Sequence, residues 1–265
     1  MSVQNHPTTG DLDLPGVSRR VALVTGGGRG IGRAIALGLA ADGFDVAVNF
    51  RRDEAAAAVT TSDIESLGGR AVAYRASVDD PDAALGLAEA VVADFGTVDT
   101  LVCNAGIASR GNTVVDTELG EVDRLMRTHV TSAFLLCKAL VPAMRLKERA
   151  DVVFISSVAA RLQSARSLPY TMAKVALEAL AMTLAKEERD AQIHVNVVAP
   201  GLVATEMGKR LVKGAMGVED IATLDASAPF GRVCRPEDVA DVVRFLVSPA
   251  SGYLTGQVVT VDGGG

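Results

Sequence analysis

The sequence predicts an α/β fold with a doubly wound, seven-stranded parallel sheet flanked by helices, and three observations carry that expectation. Short apolar runs alternate with segments of helical period along almost the whole chain. A glycine-rich run, TGGGRGIG at 25–32, directly follows the first apolar run and opens the first helix. Aromatic bulk is scarce: Trp is absent, and Phe and Tyr number 7 and 3 in 265 residues. Val, Leu, Ile and Ala must fill the core, as in a parallel sheet buried on both faces.

The elements follow in order. RVALVT at 20–25 is the first strand. RAIALGLAADG at 33–43 is helical and ends on a glycine cap signal. FDVAVNF at 44–50 is a strand, 53–69 a helix with a glycine stop, and RAVAYRA at 70–76 a strand. Asp80 and Pro81 supply a cap and a first-turn proline to a helix over 80–96. TVDTLVCNAG at 97–106 reads as strand then turn, and 118–146 as one long helix. DVVFISS at 151–157 is a strand, 167–188 a helix, IHVNVVAP at 193–200 a strand ended by proline, and 236–248 a helix. GQVVTVDGG closes the chain with a last strand and turn. Seven strands with helices between most of them make a parallel sheet. The stretch 202–233 breaks the rhythm beyond a strand's carboxyl end, where ligands bind in open α/β sheets. It is expected to be a substrate lid. No repeat or linker divides the chain, so 19–265 is expected to be one nucleotide-binding and catalytic domain, preceded by a flexible polar arm at 1–18.

Several classes of function are disfavoured. Net charge is −6 and no basic tract appears, which argues against nucleic acid as a partner. Cys103, Cys137 and Cys234, with His6, His129 and His194, lack metal-ligand spacing, so no metal site is expected. The opening residues hold no apolar leader, and no run is long and apolar enough to span a membrane. A soluble, cytoplasmic protein is the expectation.

The glycine run carries Gly26, Gly30 and Gly32 in the spacing GxxxGxG. Missing side chains allow a tight turn and close backbone approach to a pyrophosphate at a helix N-terminus, which makes this a single-domain Rossmann fold. No Lys-Ser/Thr follows, so a kinase-type phosphate loop is excluded. The second strand ends NFRR, with Phe50 where an acidic residue would grip the ribose hydroxyls. Arg51 and Arg52, with Arg29 from the other side, suit a 2′-phosphate. NADP(H) is therefore the preferred cofactor and NAD(H) the alternative. Two solvated arginines beside Asp53 are the plainer reading of the same residues.

A polar set lies downstream. Ser157 ends the fifth strand, Tyr170 follows thirteen residues later, and Lys174 lies four beyond it in PYTMAK. On a helix, Tyr170 and Lys174 share a face. An ammonium there is expected to draw the phenol pKa toward neutrality and make a general acid or base. CNAG (103–106) follows the fourth strand and PGLVAT (200–205) the sixth, so these strand ends are expected along one sheet edge.

Together, TGGGRGIG, NAG, Ser157 with YTMAK, PGLVAT and the terminal YLTGQVVTVDGG resemble the short-chain dehydrogenase/reductase family, over about 19–265. Within it the likeness is to 3-oxoacyl-[acyl-carrier-protein] reductases and to related sugar, polyol and steroid dehydrogenases. The resemblance implies that Tyr170 is the general acid for a carbonyl oxygen. Lys174 would bind the nicotinamide ribose and lower the Tyr170 pKa, and Ser157 would hold the substrate oxygen. It places Gly26, Gly28, Arg29, Gly30 and Ile31 on the cofactor, Ile31 beneath the nicotinamide. Phe50, Arg51 and Arg52 would lie at the adenosine ribose, and Ser77 and Val78 at adenine. Asn104, Ala105 and Gly106 would line the cofactor path, with Pro200, Gly201, Val203 and Thr205 near the carboxamide. The implied partner is a small-molecule carbonyl or alcohol, carrier-linked if the 3-oxoacyl thioester reading holds. The implied assembly is a homotetramer or homodimer. A non-catalytic nucleotide sensor on the same scaffold is a further alternative.

Two positions depart from the family pattern. RTHVTSAF places His129 where the family usually has Asn, and His129 is expected to join the proton relay and add a pH dependence between about 6 and 7. A core or interface histidine is the alternative. Ser77 stands where Asp is common. In the lid, Met207, Leu211, Met216 and Leu224 suit an apolar substrate. Lys209, Arg210 and Lys213, with Arg161 and Arg166, suit an anionic one or face solvent.

Overall fold

Each apolar run of the sequence becomes a strand of one parallel sheet. The computed structural model describes residues 19–264, so the arm expected at 1–18 lies outside the described residues. The strands are β1 (Val21–Val24), β2 (Asp45–Phe50), β3 (Ala71–Arg75), β4 (Thr100–Cys103), β5 (Ala150–Ile155), β6 (Ile193–Pro200) and β7 (Val258–Val261). Their order is β3-β2-β1-β4-β5-β6-β7, with every pair parallel. The order reverses between β1 and β4, which opens the crevice where nucleotides bind.

Helices cover both faces. On one lie α1 (Gly30–Ala41), α2 (Glu54–Ser66) and α9 (Pro236–Val247), packing Ile35, Leu39, Ile64, Val243 and Leu246 against Val24 and Val48. On the other lie α3 (Pro81–Phe95), α5 (Ser132–Met144) and α7 (Leu168–Glu188), packing Leu87, Leu136, Leu140 and Leu177 against Leu101 and Phe154. Asp80 caps α3 by accepting the Ala83 N–H at 3.0 Å, as its Asp-Pro pair predicts.

Three departures from the expected elements bear on the site. The fifth strand stops at Ile155; the Ser156 N–H still donates to the Val198 carbonyl of β6 at 2.7 Å, and Ser157 lies beyond that last bond. The long helix is broken: α4 (Leu119–Met126) passes through a π-helical turn, Arg127–Thr131, before α5 begins. Such turns insert one residue into the helix and re-aim its side chains; here they present His129. The irregular stretch at 202–233 contains α8 (Glu206–Met216) and two 3₁₀ turns around a small core of Val212, Ile221 and Val233. A short helix, α6 (Ala159–Leu162), links Ser157 to α7. No helix among the described residues is long and apolar enough to cross a membrane.

Candidate active site

The glycine loop is held from below by three side chains that sequence reasoning missed. Thr25 Oγ1 accepts the N–H groups of Asn104 and Ala105, at 2.9 and 3.0 Å, and binds β1 to the end of β4. Asn49, buried at the end of β2, accepts the Gly26 N–H at 3.3 Å and donates to the Ala76 carbonyl at 3.1 Å. Thr60 donates to the Gly28 carbonyl at 3.2 Å. These small polar residues inside apolar runs were the available signal. Asn104 donates to the Thr25 and Gly26 carbonyls, at 2.8 and 3.3 Å, so its amide braces the loop. Gly32 is demanded by space, since a Cβ there would stand 2.3 Å from the Gly26 carbonyl oxygen. No side chain caps α1 at Arg29, and no acidic residue occupies its first turn. Its leading N–H groups therefore suit an anion. The tight cradle and this helix end fit a dinucleotide's pyrophosphate. Ile31 packs partly buried against the α1–α9 core.

At the end of β2, Phe50 is buried while Arg29, Arg51 and Arg52 are exposed. Asp53 caps α2 through the Ala56 N–H at 3.0 Å and is thus occupied. The carboxylate that faces Arg51 is instead Asp79, at 4.0 Å. Ser77 donates to Asp79, and Val78 is buried beside it. Ser77, Asp79 and Asp80 line a cleft with Arg127 from the π-helical turn. Arg127 and Asp79 are thus additional residues near the expected adenine position.

Past the end of β5 the polar set converges. Ser157 lies close enough to the Tyr170 phenol to ease its ionisation, and its hydroxyl accepts the Ala159 N–H at 3.2 Å. The Lys174 ammonium lies 5.5 Å from the centre of the Tyr170 ring and donates to the Ile155 carbonyl at 2.7 Å. The three residues expected to act together do meet. The electrostatics correct one expectation. Tyr170 lies above its ordinary range because burial outweighs the opposing influence of Ser157; it is not drawn toward neutrality. Lys174 is the group that moves to neutrality: burial lowers it to about 7, while Glu178 favours its charge.

His129 is also corrected. Its ring meets Tyr170 edge-on, with centroids 5.5 Å apart, and its Nε2 lies 2.9 Å from the Ile107 carbonyl oxygen. Burial first, and then the Lys174 charge, lowers its pKa to about 3. The ring is neutral through pH 6 to 7, so the added titration expected there does not arise. Gly106 makes room for it, since a Cβ at that position would lie 2.6 Å from the imidazole Cε1.

The remaining positions gather on the same side. The Pro200 carbonyl accepts the Val158 N–H at 3.0 Å, and the Gly201 N–H donates to Val261 at 3.0 Å. Val203 is buried, and Thr205 caps α8 by accepting the Gly208 N–H at 3.1 Å. In the stretch expected to be a lid, Met207 and Leu211 are exposed, and Leu224 packs on the small core of that stretch; the Met216 side chain lies outside the described residues. The cations expected to steer an anion are partly engaged. Lys209 pairs with Glu206 at 3.2 Å, Lys213 with Glu219 at 2.7 Å, and Arg161 with Asp262 at 3.3 Å.

Comparison with known proteins places this geometry. A family model described as enoyl-(acyl carrier protein) reductase matches residues 26–265. The chain is 35% identical to a 3-oxoacyl-[acyl-carrier-protein] reductase of Synechocystis sp., covering 95% of this chain and 98% of the relative. It is 33% identical to an L-rhamnose 1-dehydrogenase (NAD(P)(+)) of Sphingomonas sp., covering 92% and 95%. A short-chain dehydrogenase from Burkholderia cenocepacia, solved in complex with NADP, superposes with a TM-score of 0.83 at 34% identity, covering 93% of this chain and 97% of that one. With its parallel sheet, glycine cradle and polar set at the strand ends, the chain belongs to the short-chain dehydrogenase/reductase family and is an NAD(P)-dependent oxidoreductase of carbonyl and alcohol substrates.

Proposed function

We propose that the chain interconverts a carbonyl and an alcohol with NADP(H) in preference to NAD(H), and that a 3-oxoacyl thioester is its leading substrate. The observation that carries the mechanism is the convergence of Ser157 and Tyr170 with the buried Lys174, whose ammonium lies 5.5 Å from the centre of the Tyr170 ring. The glycine cradle, Asn104, Ala105 and the Pro200–Thr205 segment would hold the nicotinamide cofactor, which supplies or accepts hydride when bound. Tyr170 keeps its proton at neutral pH and gives it to the carbonyl oxygen as charge develops there. Ser157 orients the same oxygen, and Lys174 contributes its ammonium beneath the pair. Because Tyr170 is held above its ordinary pKa, reduction is favoured near neutrality and oxidation at alkaline pH.

The exposed Arg29, Arg51 and Arg52 support the phosphorylated cofactor, with Asp79 as the opposing charge beside Arg51. The Synechocystis relative supports the acyl thioester. The L-rhamnose dehydrogenase, at nearly the same identity, supports a sugar or polyol as the second reading, and the paired lid cations favour it over a free anion. Residues 19–265 act in this reading as one domain with 202–233 as its lid. Phe134 and Val175 expose 48% and 43% of their surface on α5 and α7, against 0% for Leu125 and 2% for Leu177. That outward apolar pair supports a homo-oligomer. The deciding test follows NADPH and NADH oxidation with acetoacetyl thioesters, and NADP⁺ and NAD⁺ reduction with sugars and polyols. Thioester turnover preferring NADPH is expected. Turnover of sugars alone establishes the second reading, and NADPH binding without any turnover would establish the sensor.

A further inference from the structure

Two consecutive residues, Ile155 at the end of β5 and Ser156 just after it, are each tied to α7, one helical turn apart. Lys174 donates to the Ile155 carbonyl at 2.7 Å, and Ser156 donates to Glu178 Oε1 at 2.5 Å. Residues four apart share a helix face, so Lys174 and Glu178 project toward the same strand end. We propose that Glu178, oriented by Ser156, is a positioning residue that keeps the Lys174 ammonium charged inside the site.

The surroundings of Lys174 support this. From its own helix it faces Tyr170 and Glu178, from the end of β4 it faces Cys103, and from the π-helical turn it faces His129. Tyr170 and Cys103 are both held above their ordinary ranges and His129 is neutral, so none of them supplies an anion at neutral pH. Glu178 is the one carboxylate among the described residues that acts on Lys174. It forms no direct ion pair there. Lys174 is 3% exposed, and a charge near so buried a group is felt more strongly than in water. The Ser156 hydroxyl holds the carboxylate by its Oε1. A serine immediately before Ser157 thus has a task of its own: it orients the counter-charge, while Ser157 faces the phenol.

The inference rests on the reading in which Lys174 acts as an ammonium, and its test separates the two. The Lys174 titration is followed by NMR in the full chain carrying ¹³C-lysine, without cofactor, and assigned by its loss in Lys174→Met. Glu178→Gln is expected to lower the midpoint by about one pH unit, with Glu178→Asp restoring most of it and Ser156→Ala giving a smaller decrease in the same direction. NADPH affinity is then expected to fall off at correspondingly lower pH in Glu178→Gln. An unmoved midpoint in folded Glu178→Gln overturns the proposal, as does a midpoint equally lowered in Glu178→Asp. If Glu178→Gln does not fold, an unmoved midpoint in Ser156→Ala overturns it. The titration answers for Glu178 whether or not the protein turns over a substrate. Full turnover by Lys174→Met would overturn the underlying reading of Lys174 instead.

Discussion

The two edges of the sheet treat buried charge in opposite ways. At the amino edge, Asp151 of β5 is 1% exposed. Arg149 meets one of its oxygens at 2.9 Å, and Arg20 pairs with the other while also donating to Thr100 Oγ1 at 3.0 Å and the Val247 carbonyl at 2.8 Å. Nearby, Asp99 accepts the Val21 N–H at 2.8 Å and pairs with Lys147 at 3.2 Å. At the carboxyl edge, Lys174 is 3% exposed and its ammonium meets a neutral carbonyl. His129 is equally buried, and its Nδ1 has no hydrogen-bond partner among the described residues. The amino edge compensates its charges and ties strands β1, β4 and β5 to the end of α9. The carboxyl edge leaves polar groups poorly compensated, which shifts their pKa values and makes them chemically useful. One edge serves stability and the other serves reactivity.

Four substitutions test that division, in descending order of effect. Tyr170→Phe is expected to lower kcat about 10³-fold while leaving the urea midpoint unchanged or higher. Parallel losses of rate and stability would show that the edges are not separable. Asp151→Ala should do the reverse. It strands two guanidinium groups and costs about 3 kcal/mol in urea unfolding, with kcat per folded molecule retained. Lys174→Met should unfold at higher urea than the parent at pH 6 to 7, by about 2 kcal/mol, because it removes a buried charge whose counter-charge, Glu178, forms no ion pair with it.

The sign of that third effect also sets its pH dependence. Lys174 has a folded pKa of about 7, below the ordinary lysine value of 10.5. The full penalty therefore applies below pH 7 and is relieved as pH rises toward the unfolded value. The advantage of Lys174→Met should shrink between pH 7 and 10. A constant gap across that range would place the cause in packing. The smallest effect is expected away from both edges' networks. Arg51→Ala should weaken NADPH about tenfold and NADH hardly at all, measured by fluorescence titration; equal weakening of both would remove Arg51 from the 2′-phosphate.

Much of this division is legible in the sequence. Apolar runs of four to eight residues locate the strands, and Asp80-Pro81 marks the start of α3 because capping and proline geometry are local. Ser157, Tyr170 and Lys174 are legible from spacing, since a strand end and a helix face constrain where they point. What spacing misses is burial. The net shift of Tyr170 runs opposite to the expected one because burial dominates it. The expected titration of His129 fails for the same reason. The Arg51 partner is Asp79 rather than the adjacent Asp53, because Asp53 is spent on capping α2. The Asp151 network bonds residues as far as 227 positions apart, and no local pattern announces it.

By itself the sequence determined the parallel sheet, its glycine turn and the three polar residues at its carboxyl edge, because hydrophobic period, turn chemistry and helical spacing act over a few residues. Only the tertiary structure decided which of those polar groups carry charge. Protonation depends on how much water is removed and which distant side chains replace it, and folding brings Ser156, Glu178, Cys103 and His129 around Lys174 from four separate segments.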